Sequence, residues 1–399
     1  MEKKPAIRFE GYTDEWKQCN LAGIASKVTE KNADLRYLET FTNSAEKGII
    51  SQQDYFDHAI SKLESIIGYY VVNDDDFVYN PRISVTAPVG PINRNKLGRS
   101  GVMSPLYTVF SLHDIDPSYL EWYFKSAYWH LYMHLNGNTG ARYDRFSISD
   151  KMFFQMPIPT PSMEEQKLIA HHFEQLDELI SLHQSNYEKM VATKKSMLYK
   201  LFPQGNAKVP EIRFEGFVDE WEKKPLGELF EEYSEKGHEE FPPLTIIQGA
   251  GTILRNESDR KLMYNKTNLS GYKLVRKGDF IVHLRSFEGG LEIATTTGII
   301  SPAYHTLHGE NLDSDFYYAY FRSRKFIDVD LRHHVYGIRD GRSIDINGMK
   351  TILIPYTSHE EQKQIAGYLN SLDELIELYR IRIEKLKNIK AACLQGMFV

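Results

Sequence analysis

Arginine stands with asparagine and glycine in two segments that occupy matching places in the chain. The first segment runs from residue 136 to 145 and the second from 333 to 342, and their Gly-x-Arg triplets, 140–142 and 337–339, lie 197 residues apart. Arginine suits contact with phosphate, and arginine and asparagine can hydrogen-bond to base edges. A solvated turn would have a similar composition, but recurrence at matching places favours binding. The two segments therefore indicate recognition of a nucleic acid.

Further basic candidates lie outside these segments. Residues 80–100 contain four basic residues and no acid, and Arg285 with Ser286 adds a site in the second half of the chain. The net charge of −6 does not exclude such a site, because nucleic-acid binding depends on where positive charge lies rather than on its sum. The predicted DNA contacts are Asn80, Arg82, Arg94, Lys96, Arg99, Arg142, Tyr143, Arg145, Arg285, Ser286, His333, Tyr336, Arg339 and Arg342.

The sequence lacks the motifs of several catalytic classes. Neither a Gly-x-Gly-x-x-Gly fingerprint nor a Gly-x-x-x-x-Gly-Lys-(Ser/Thr) phosphate loop occurs. Asn80-Pro81-Arg82 is nearest to the Asn/Asp-Pro-Pro-aromatic motif of amino methyltransferases, and Arg82 breaks that pattern. His171-His172 and His333-His334 predict no metal site, since adjacent residues on a helix face different ways and no cysteine or acidic cluster joins them. We predict recognition without catalysis, metal or cofactor in this chain.

Composition limits the class of protein. A chain of 399 residues with 42% hydrophobic content is long enough for two or three domains. Its two cysteines form neither a metal-ligand spacing nor a disulfide framework. No apolar run approaches the roughly 18 residues of a membrane helix, and the start of the chain is unlike a signal peptide. We expect a cytoplasmic protein with no membrane partner.

The candidate contacts lie between two repeated frames. The pattern Pro-x-Ile-Arg-Phe-x-Gly-(Tyr/Phe)-x-x-Glu-Trp occurs at 5–16 and at 210–221. Glu-Glu-Gln-Lys at 164–167 and Leu-Asp-Glu-Leu-Ile at 176–180 return 196 residues later. The blocks in between, about 20–157 and 225–354, share only a skeleton of short β segments and an aromatic helix. Similar frames around different inserts predict one scaffold whose two variable blocks recognise two different targets.

Each frame contains a long helix. After a serine and two glutamates, apolar residues recur at steps of three and four over more than four heptads, which is typical of a coiled coil. Each helix should have about 38 residues and a length of about 57 Å. The stripes predict that the two helices pair, with an antiparallel arrangement as the obvious one. The predicted seam residues are Ile169, Phe173, Leu176, Ile180 and Tyr187 in the first copy and Ile365, Leu369, Leu372, Ile376 and Tyr379 in the second.

Two details of the frames carry further expectations. Lys194 and Lys390 both fall in the seam, where each either extends its ammonium group to solvent or sets the register of the pair. The segment 210–221 directly follows the first long helix, whereas 5–16 has no helix before it. We therefore expect 5–16 to dock on the end of the C-terminal helix, so that the repeats close on themselves.

The frame motifs resemble the specificity subunits of type I restriction-modification systems. The resemblance covers essentially the whole chain and is most specific at 158–180, at its copy 354–376, and at the two Phe-x-Gly-(Phe/Tyr)-x-x-Glu-Trp segments. It implies an α+β fold with a pseudo-twofold internal repeat, in which two mixed α/β target-recognition domains are joined by two long antiparallel coiled-coil helices. The predicted segments are 1–157 and 206–354 for the two recognition domains, and 158–205 and 355–399 for the two spacer helices.

The resemblance also implies a function and a set of partners. Each recognition domain would read one half of a bipartite, asymmetric site in double-stranded DNA, and the helices would set the gap between the halves. The helices would also dock two methyltransferase subunits, and restriction/translocase subunits would complete the complex. The subunit itself would be non-catalytic, with S-adenosylmethionine, ATP and Mg²⁺ held by its partners.

Two other classes of function stay open on the residues alone. A non-catalytic scaffold with two ligand-binding domains for proteins or glycans would also use one frame twice. A free-standing methyltransferase would need cofactor and catalytic motifs that the sequence lacks. The basic Asn/Gly segments favour DNA over both alternatives, although they specify neither the target sequence nor the methylated base.

Overall fold

The protein is described by a computed structural model that covers residues 4–55, 63–139, 144–258, 266–337 and 343–399. Its chain forms two compact units. Unit 1 comprises Met1–His183 and Arg382–Val399, and unit 2 comprises Gln184–Ile381. Each unit therefore contains one variable block with a part of each long helix. The predicted boundaries at 157/158, 205/206 and 354/355 follow the sequence motifs rather than these groups of contacts, and they stay a prediction.

Unit 1 is built around a four-stranded antiparallel sheet with the order β2-β9-β6-β7. Four two-stranded sheets accompany it: β1-β12, β3-β4, β5-β8 and β10-β11. The strands are β1 (Lys17–Asn20), β2 (Ala25–Lys27), β3 (Phe41–Ser44), β4 (Gly48–Ser51), β5 (Tyr70–Val72), β6 (Phe77–Tyr79), β7 (Ile92–Arg94), β8 (Gly101–Met103), β9 (Thr108–Leu112), β10 (Asn138–Thr139), β11 (Phe146–Ser147) and β12 (Pro157–Thr160). The helices are α1 (Gln52–Tyr55), α2 (Leu63–Ile66), α3 (Pro117–Lys125), α4 (Tyr128–Asn136), α5 (Asp150–Phe154) and α6 (Met163–Lys200), which continues into unit 2.

Unit 2 repeats this topology strand for strand. Its four-stranded sheet has the order β14-β21-β18-β19, and its two-stranded sheets are β13-β24, β15-β16, β17-β20 and β22-β23. The strands are β13 (Glu222–Pro225), β14 (Glu231–Tyr233), β15 (Leu244–Ile247), β16 (Gly251–Leu254), β17 (Lys273–Val275), β18 (Phe280–Val282), β19 (Glu292–Ile293), β20 (Gly298–Ile300), β21 (His305–His308), β22 (Val335–Tyr336), β23 (Ser343–Ile344) and β24 (Leu353–Tyr356). The helices are α7 (Leu226–Leu229), α8 (Ser286–Gly289), α9 (Ser314–Phe321), α10 (Ile346–Met349) and α11 (His359–Gly396), which ends in unit 1. The predicted α+β fold with an internal repeat is confirmed.

Both long helices begin as the sequence predicts. Each has 38 residues, and in each the hydroxyl of the preceding serine accepts a hydrogen bond from a first-turn amide. The distances are 3.2 Å from Glu165 N to Ser162 Oγ and 3.3 Å from Glu361 N to Ser358 Oγ. A serine cap satisfies an amide that has no partner within the helix, and the glutamates favour the positive end of the helix dipole.

The apolar stripes of the two helices are buried mainly near the helix starts. Phe173 stacks on Phe398 in unit 1 with ring centroids 5.9 Å apart, and on Trp122 of α3 at 4.9 Å. Because the aromatic helix α3 lies beside α6, the apolar stripe of α6 packs on the recognition block as well as on the other long helix. Ile169, Phe173, Leu176, Ile365, Leu369 and Leu372 are buried, whereas Ile180, Tyr187, Ile376 and Tyr379 are half-buried.

The two seam lysines pair with aspartates across the helices. Within unit 1, Lys390 of α11 donates to Asp177 of α6. Within unit 2, Lys194 of α6 donates to Asp373 of α11. Asp177 and Asp373 are the same residue of the repeated Leu-Asp-Glu-Leu-Ile motif. In unit 1 the contacts Asp177–Lys390 and His172–Cys393 run in opposite directions along the two helices, which confirms the predicted antiparallel arrangement. Both lysines bind an aspartate rather than reaching only to solvent, and a role in setting the register stays a prediction.

The repeated arginine, tryptophan and glutamate of the frames form one buried cluster in each unit. In unit 1, Arg8 Nε and Nη2 donate to the two carboxylate oxygens of Glu165 at 2.7 and 2.9 Å, and Trp16 Nε1 donates to Glu165 Oε1 at 3.3 Å. In unit 2, Arg213 donates to Glu361 at the same two distances, and Trp221 Nε1 donates at 3.0 Å. Both glutamates are only 1% exposed, so we call each cluster a frame clamp.

The segment 5–16 closes on the C-terminal helix. Ile7 N donates to Gly396 O at 2.8 Å, and the matching Ile212 N donates to Lys200 O at 3.0 Å. A side chain at Gly396 would collide with Ile7, because an added Cβ would lie 2.6 Å from the Ile7 Cδ1 atom. The predicted docking of the first segment on the last helix is therefore confirmed.

Candidate nucleic-acid interface

The two arginine-containing segments adjoin equivalent pairs of antiparallel strands, each of which we call a hairpin. In unit 1, β10 pairs with β11, and in unit 2, β22 pairs with β23, with every paired residue shifted by 197 positions. Strands of two residues leave no alternation to read, which is why the sequence predicted loops only. Residues 140–143 and 338–342, which come between these strands in the sequence, lie outside the described residues. Arg142, Tyr143, Arg339 and Arg342 fall there, and their role stays a prediction.

Arg82 and Arg145 are brought together at the base of the first hairpin. They lie opposite each other in an antiparallel bridge, held by hydrogen bonds from Ile83 N to Asp144 O at 3.1 Å and from Phe146 N to Pro81 O at 2.7 Å. Residues directly opposite in an antiparallel pair carry their side chains on the same face, where like charges repel. Both arginines are exposed, and neither guanidinium has a partner among the described residues. An anion placed here would relieve the repulsion.

Asn80 shapes the turn that carries Arg82. Its side-chain amide donates to Asn43 O at 2.8 Å, and its carbonyl oxygen accepts from Arg82 N at 3.0 Å. Asparagine often stabilises a turn in this way, by bonding to the backbone two residues on. The predicted DNA contact at Asn80 therefore has a competing role in positioning Arg82.

Three other predicted contacts of unit 1 are paired with acids. Arg94 Nε donates to Asp75 Oδ1 at 2.8 Å, and Arg99 binds both oxygens of Glu39 at 2.8 Å. Lys96 Nζ lies 3.5 Å from Glu121 Oε2. The segment 80–100 has no acid of its own, but the fold supplies these acids from other parts of the chain. DNA contact by the three residues stays a prediction, and each would have to share its charge with an acid already bound.

In unit 2, Arg285 matches Arg82 and is exposed. Its side chain has no hydrogen-bond or ion-pair partner among the described residues. Ser286 differs from the prediction, since it is 0% exposed and its hydroxyl accepts from His283 N at 2.9 Å. A buried hydroxyl that closes a turn cannot reach DNA, so Ser286 is corrected to a residue that positions Arg285.

Two remaining predicted contacts of unit 2 lie among the described residues, His333 in the short 3₁₀ helix Leu331–His334 and Tyr336 on β22. His333 is exposed, and Tyr336 is 59% exposed. An exposed tyrosine offers a flat apolar face with a polar end, which suits contact with a base or sugar. The described part of this hairpin therefore presents an aromatic side chain where the first hairpin presents Thr139.

The frames fix the recognition blocks to the helices through residues that were not predicted as functional. Gln166 Oε1 accepts from Asp116 N and Gln362 Oε1 accepts from Asp313 N, both at 2.9 Å. These aspartates cap α3 and α9 in turn. The repeated Glu-Glu-Gln-Lys motif was the available signal. Each glutamine ties the start of a long helix to the recognition block beside it.

The described residues offer no alternative site for metal chemistry or a membrane span. Within them, no three or more His, Cys, Asp or Glu side chains are grouped so that they could hold a metal ion. Among the described helices, none combines the length and the apolar character needed to cross a bilayer.

Comparison with known sequences identifies relatives. The family model described as "Type I restriction modification DNA specificity domain" matches residues 14–190. A putative type I restriction enzyme MjaX specificity subunit of Methanocaldococcus jannaschii is 26% identical over 255 residues, which are 61% of this chain and 59% of the relative. The type I restriction enzyme MjaVIII specificity subunit of the same organism is 27% identical over 263 residues, 61% of each protein. The chain thus aligns with about three fifths of the length of each curated relative.

Solved structures share the whole fold. The HsdS subunit from Thermoanaerobacter tengcongensis superposes with a TM-score of 0.54 at 15% identity, over 100% of this chain and 99% of that one. The S subunit of a type I restriction-modification system from M. genitalium gives a TM-score of 0.55 at 15% identity, over 99% of both chains. Residues 14–190, less than half of the chain, are thus similar to the type I restriction modification DNA specificity domain, and the fold of the whole chain is similar to that of these two solved subunits.

Proposed function

We propose that this protein gives DNA sequence specificity to a type I restriction-modification complex, and that each unit reads one half of a bipartite site. The observation that supports this most directly is the pair of equivalent hairpins. In unit 1 the exposed Arg82, which has no described partner, lies at the base of the hairpin. In unit 2 the matching Arg285, also exposed and without a described partner, directly precedes α8, which contacts β23. Such arginines suit phosphate and base-edge contacts in double-stranded DNA.

The division between constant and variable parts supports the rest of the proposal. The frame clamps and the Lys–Asp pairs are formed by the same residue types at matching positions in both units, as identical partners would require. We propose that these partners are two methyltransferase subunits, and that restriction/translocase subunits join them. The chemistry of S-adenosylmethionine, ATP and Mg²⁺ would then belong to the partners, and this chain would be a non-catalytic subunit that acts in the cytoplasm.

The test uses the intact chain co-expressed with the methyltransferase subunit of its host. Single-molecule sequencing of the methylated DNA should give one bipartite motif with a fixed gap, and a gel-shift assay should show that the purified complex prefers that motif. A complex that binds a protein or a glycan but shows no sequence preference on DNA would replace the proposal by the scaffold alternative.

A further inference from the structure

A fully exposed valine stands at the tip of a tight turn beside the arginine pair. The turn spans Ser84–Ala87 and is closed at both ends, from Ser84 N to Ala87 O at 3.0 Å and from Ala87 N to Ser84 O at 3.2 Å. The Ser84 hydroxyl also accepts from Ala87 N at 3.1 Å. Val85 is the first of the two tip residues, and its side chain is entirely in solvent.

Folding alone gives no reason for a valine at this place. Tight turns favour glycine, asparagine, aspartate, serine and proline, whereas β-branched residues favour strands. The turn is anchored without it, because Ala87 and Val89 are buried behind the tip and Ile83 bonds to Asp144 in front of it. An exposed aliphatic side chain gains burial free energy only when another molecule covers it.

Unit 2 also exposes an aliphatic side chain close to the arginine that matches Arg82, although at a different position of the repeat from Val85. Pro81-Arg82 follows β6 as Leu284-Arg285 follows β18, and Leu284 is 67% exposed directly before the exposed Arg285. The two units share neither the residue type nor the loop that follows, since unit 1 has the tight turn and unit 2 has α8. An aliphatic group close to an arginine without a described partner is therefore a recurring arrangement on two different backbones.

We infer that Val85 and Leu284 are specificity-determining residues that each contact the 5-methyl group of a thymine in the half-site read by its own unit. This inference rests on the proposed function. Arg82 near Val85 and Arg285 next to Leu284 would bind the DNA backbone or a base edge. The aliphatic side chain would then distinguish thymine from bases that lack the 5-methyl group. Apolar contact with the thymine methyl is a direct means of reading a base in the major groove, where that methyl marks thymine.

The test removes single methyl groups from the DNA. In duplexes that carry the methylated motif, each thymine of either strand is replaced in turn by deoxyuridine, which lacks only the 5-methyl group. The intact complex should lose about three- to fivefold in affinity at one position of the first half-site and one of the second, as expected for burial of one methyl group. With Val85→Ala the penalty at the first position should disappear, and with Leu284→Ala the penalty at the second.

Controls separate this inference from the proposed function. Leu38→Ala removes another exposed aliphatic side chain of unit 1 and should leave both deoxyuridine penalties intact. A wild-type complex that ignores every deoxyuridine, or penalties that persist in both alanine variants, would overturn the inference while leaving DNA recognition standing. A complex with no preference for the motif would instead refute the proposed function. Circular dichroism of each variant would show that a lost penalty does not reflect unfolding.

Discussion

The two units share a strand topology and many individual hydrogen bonds, but a matching buried aspartate has different partners in each unit. In unit 1, the buried Asp76 accepts a hydrogen bond from Asn73 N at 2.7 Å and has no ion-pair partner among the described residues, and burial raises the pKa of its carboxyl to about 6. In unit 2, the matching Asp279 lies 2.6 Å from His308 Nδ1 and also accepts from the Tyr233 hydroxyl. The difference shows that the frame constrains backbone and helix contacts while the polar partners inside each recognition block vary.

The largest effect should come from the frame clamp, and the loss of folding stability should be the same in the two units. Arg8→Ala in unit 1 and Arg213→Ala in unit 2 each leave a glutamate that is 1% exposed without its cation. Breaking a buried ion pair by removing one partner costs about 3–5 kcal/mol. Urea unfolding followed by hydrogen exchange of each unit should show this loss only in the unit that carries the substitution.

An exposed arginine of unit 1 provides the control for the clamp prediction. Arg36→Ala removes an exposed arginine that is paired with Glu30 and Asp34 and should leave the stability of unit 1 nearly unchanged. Clamp substitutions that differ from each other by more than this control would contradict the equivalence of the two frames.

The second effect concerns the half-sites and should differ between the units. Arg145→Ala should weaken discrimination in one half of the motif and Arg285→Ala in the other, each by about 1–3 kcal/mol when a base contact is lost. Methylome sequencing of cells that carry each variant would show which half becomes degenerate. Arg324→Ala, another exposed arginine of unit 2, serves as the matched control. Equal weakening of both halves would make these arginines general phosphate contacts instead.

The third effect is a substitution of opposite sign at equivalent aspartates, with a pH dependence at Asp76. Because the folded pKa of Asp76 is raised to about 6, its stabilising contribution is complete below the unfolded pKa of about 4 and is lost as pH rises through 6. Asp76→Asn keeps an oxygen for the Asn73 amide and stays neutral, so it should gain on the order of 2 kcal/mol relative to wild type between pH 4 and pH 7. Asp279→Asn should instead destabilise unit 2, because one of the two oxygens that face His308 and the Tyr233 hydroxyl becomes an amide NH₂ group. Thermal unfolding across this pH range would check both signs.

The smallest effect should come from the Lys–Asp pairs of the helices. Both units contain the same pair, so the loss of stability should be similar in each unit. Lys194→Ala and Lys390→Ala should each cost up to about 1 kcal/mol, since both pairs are partly exposed. The exchange Lys194→Asp with Asp373→Lys should restore most of the loss in unit 2. Denaturation midpoints at low and high salt would measure it, and a loss that salt does not reduce would mean that packing rather than charge is responsible.

Sequence patterns predicted the parts of the fold that depend on local chemistry. The serine caps, the 38-residue helices and the strands at 77–79 and 280–282 follow from capping, periodicity and β-branched or aromatic runs. The partners of basic residues could not be predicted in this way. Arg99 meets Glu39 across 60 residues of sequence, and only the completed fold shows that pairing. Ser286 was misplaced for the same reason, because its hydroxyl turns inward to His283 N.

Unit 1 is assembled from two stretches that are far apart in the sequence, and this limits how early it can fold during translation. Residues 382–399 emerge from the ribosome only after all of unit 2, and they supply Gly396 for Ile7 and Phe398 for the core around Phe173. At about 5–20 residues per second, translation of unit 2 takes roughly 10–40 s. During that time the aromatic core of unit 1 lacks its last layer, whereas unit 2 is one contiguous stretch and can fold as soon as it leaves the tunnel. The first half of the nascent chain must therefore wait, partly open, for the last eighteen residues of unit 1.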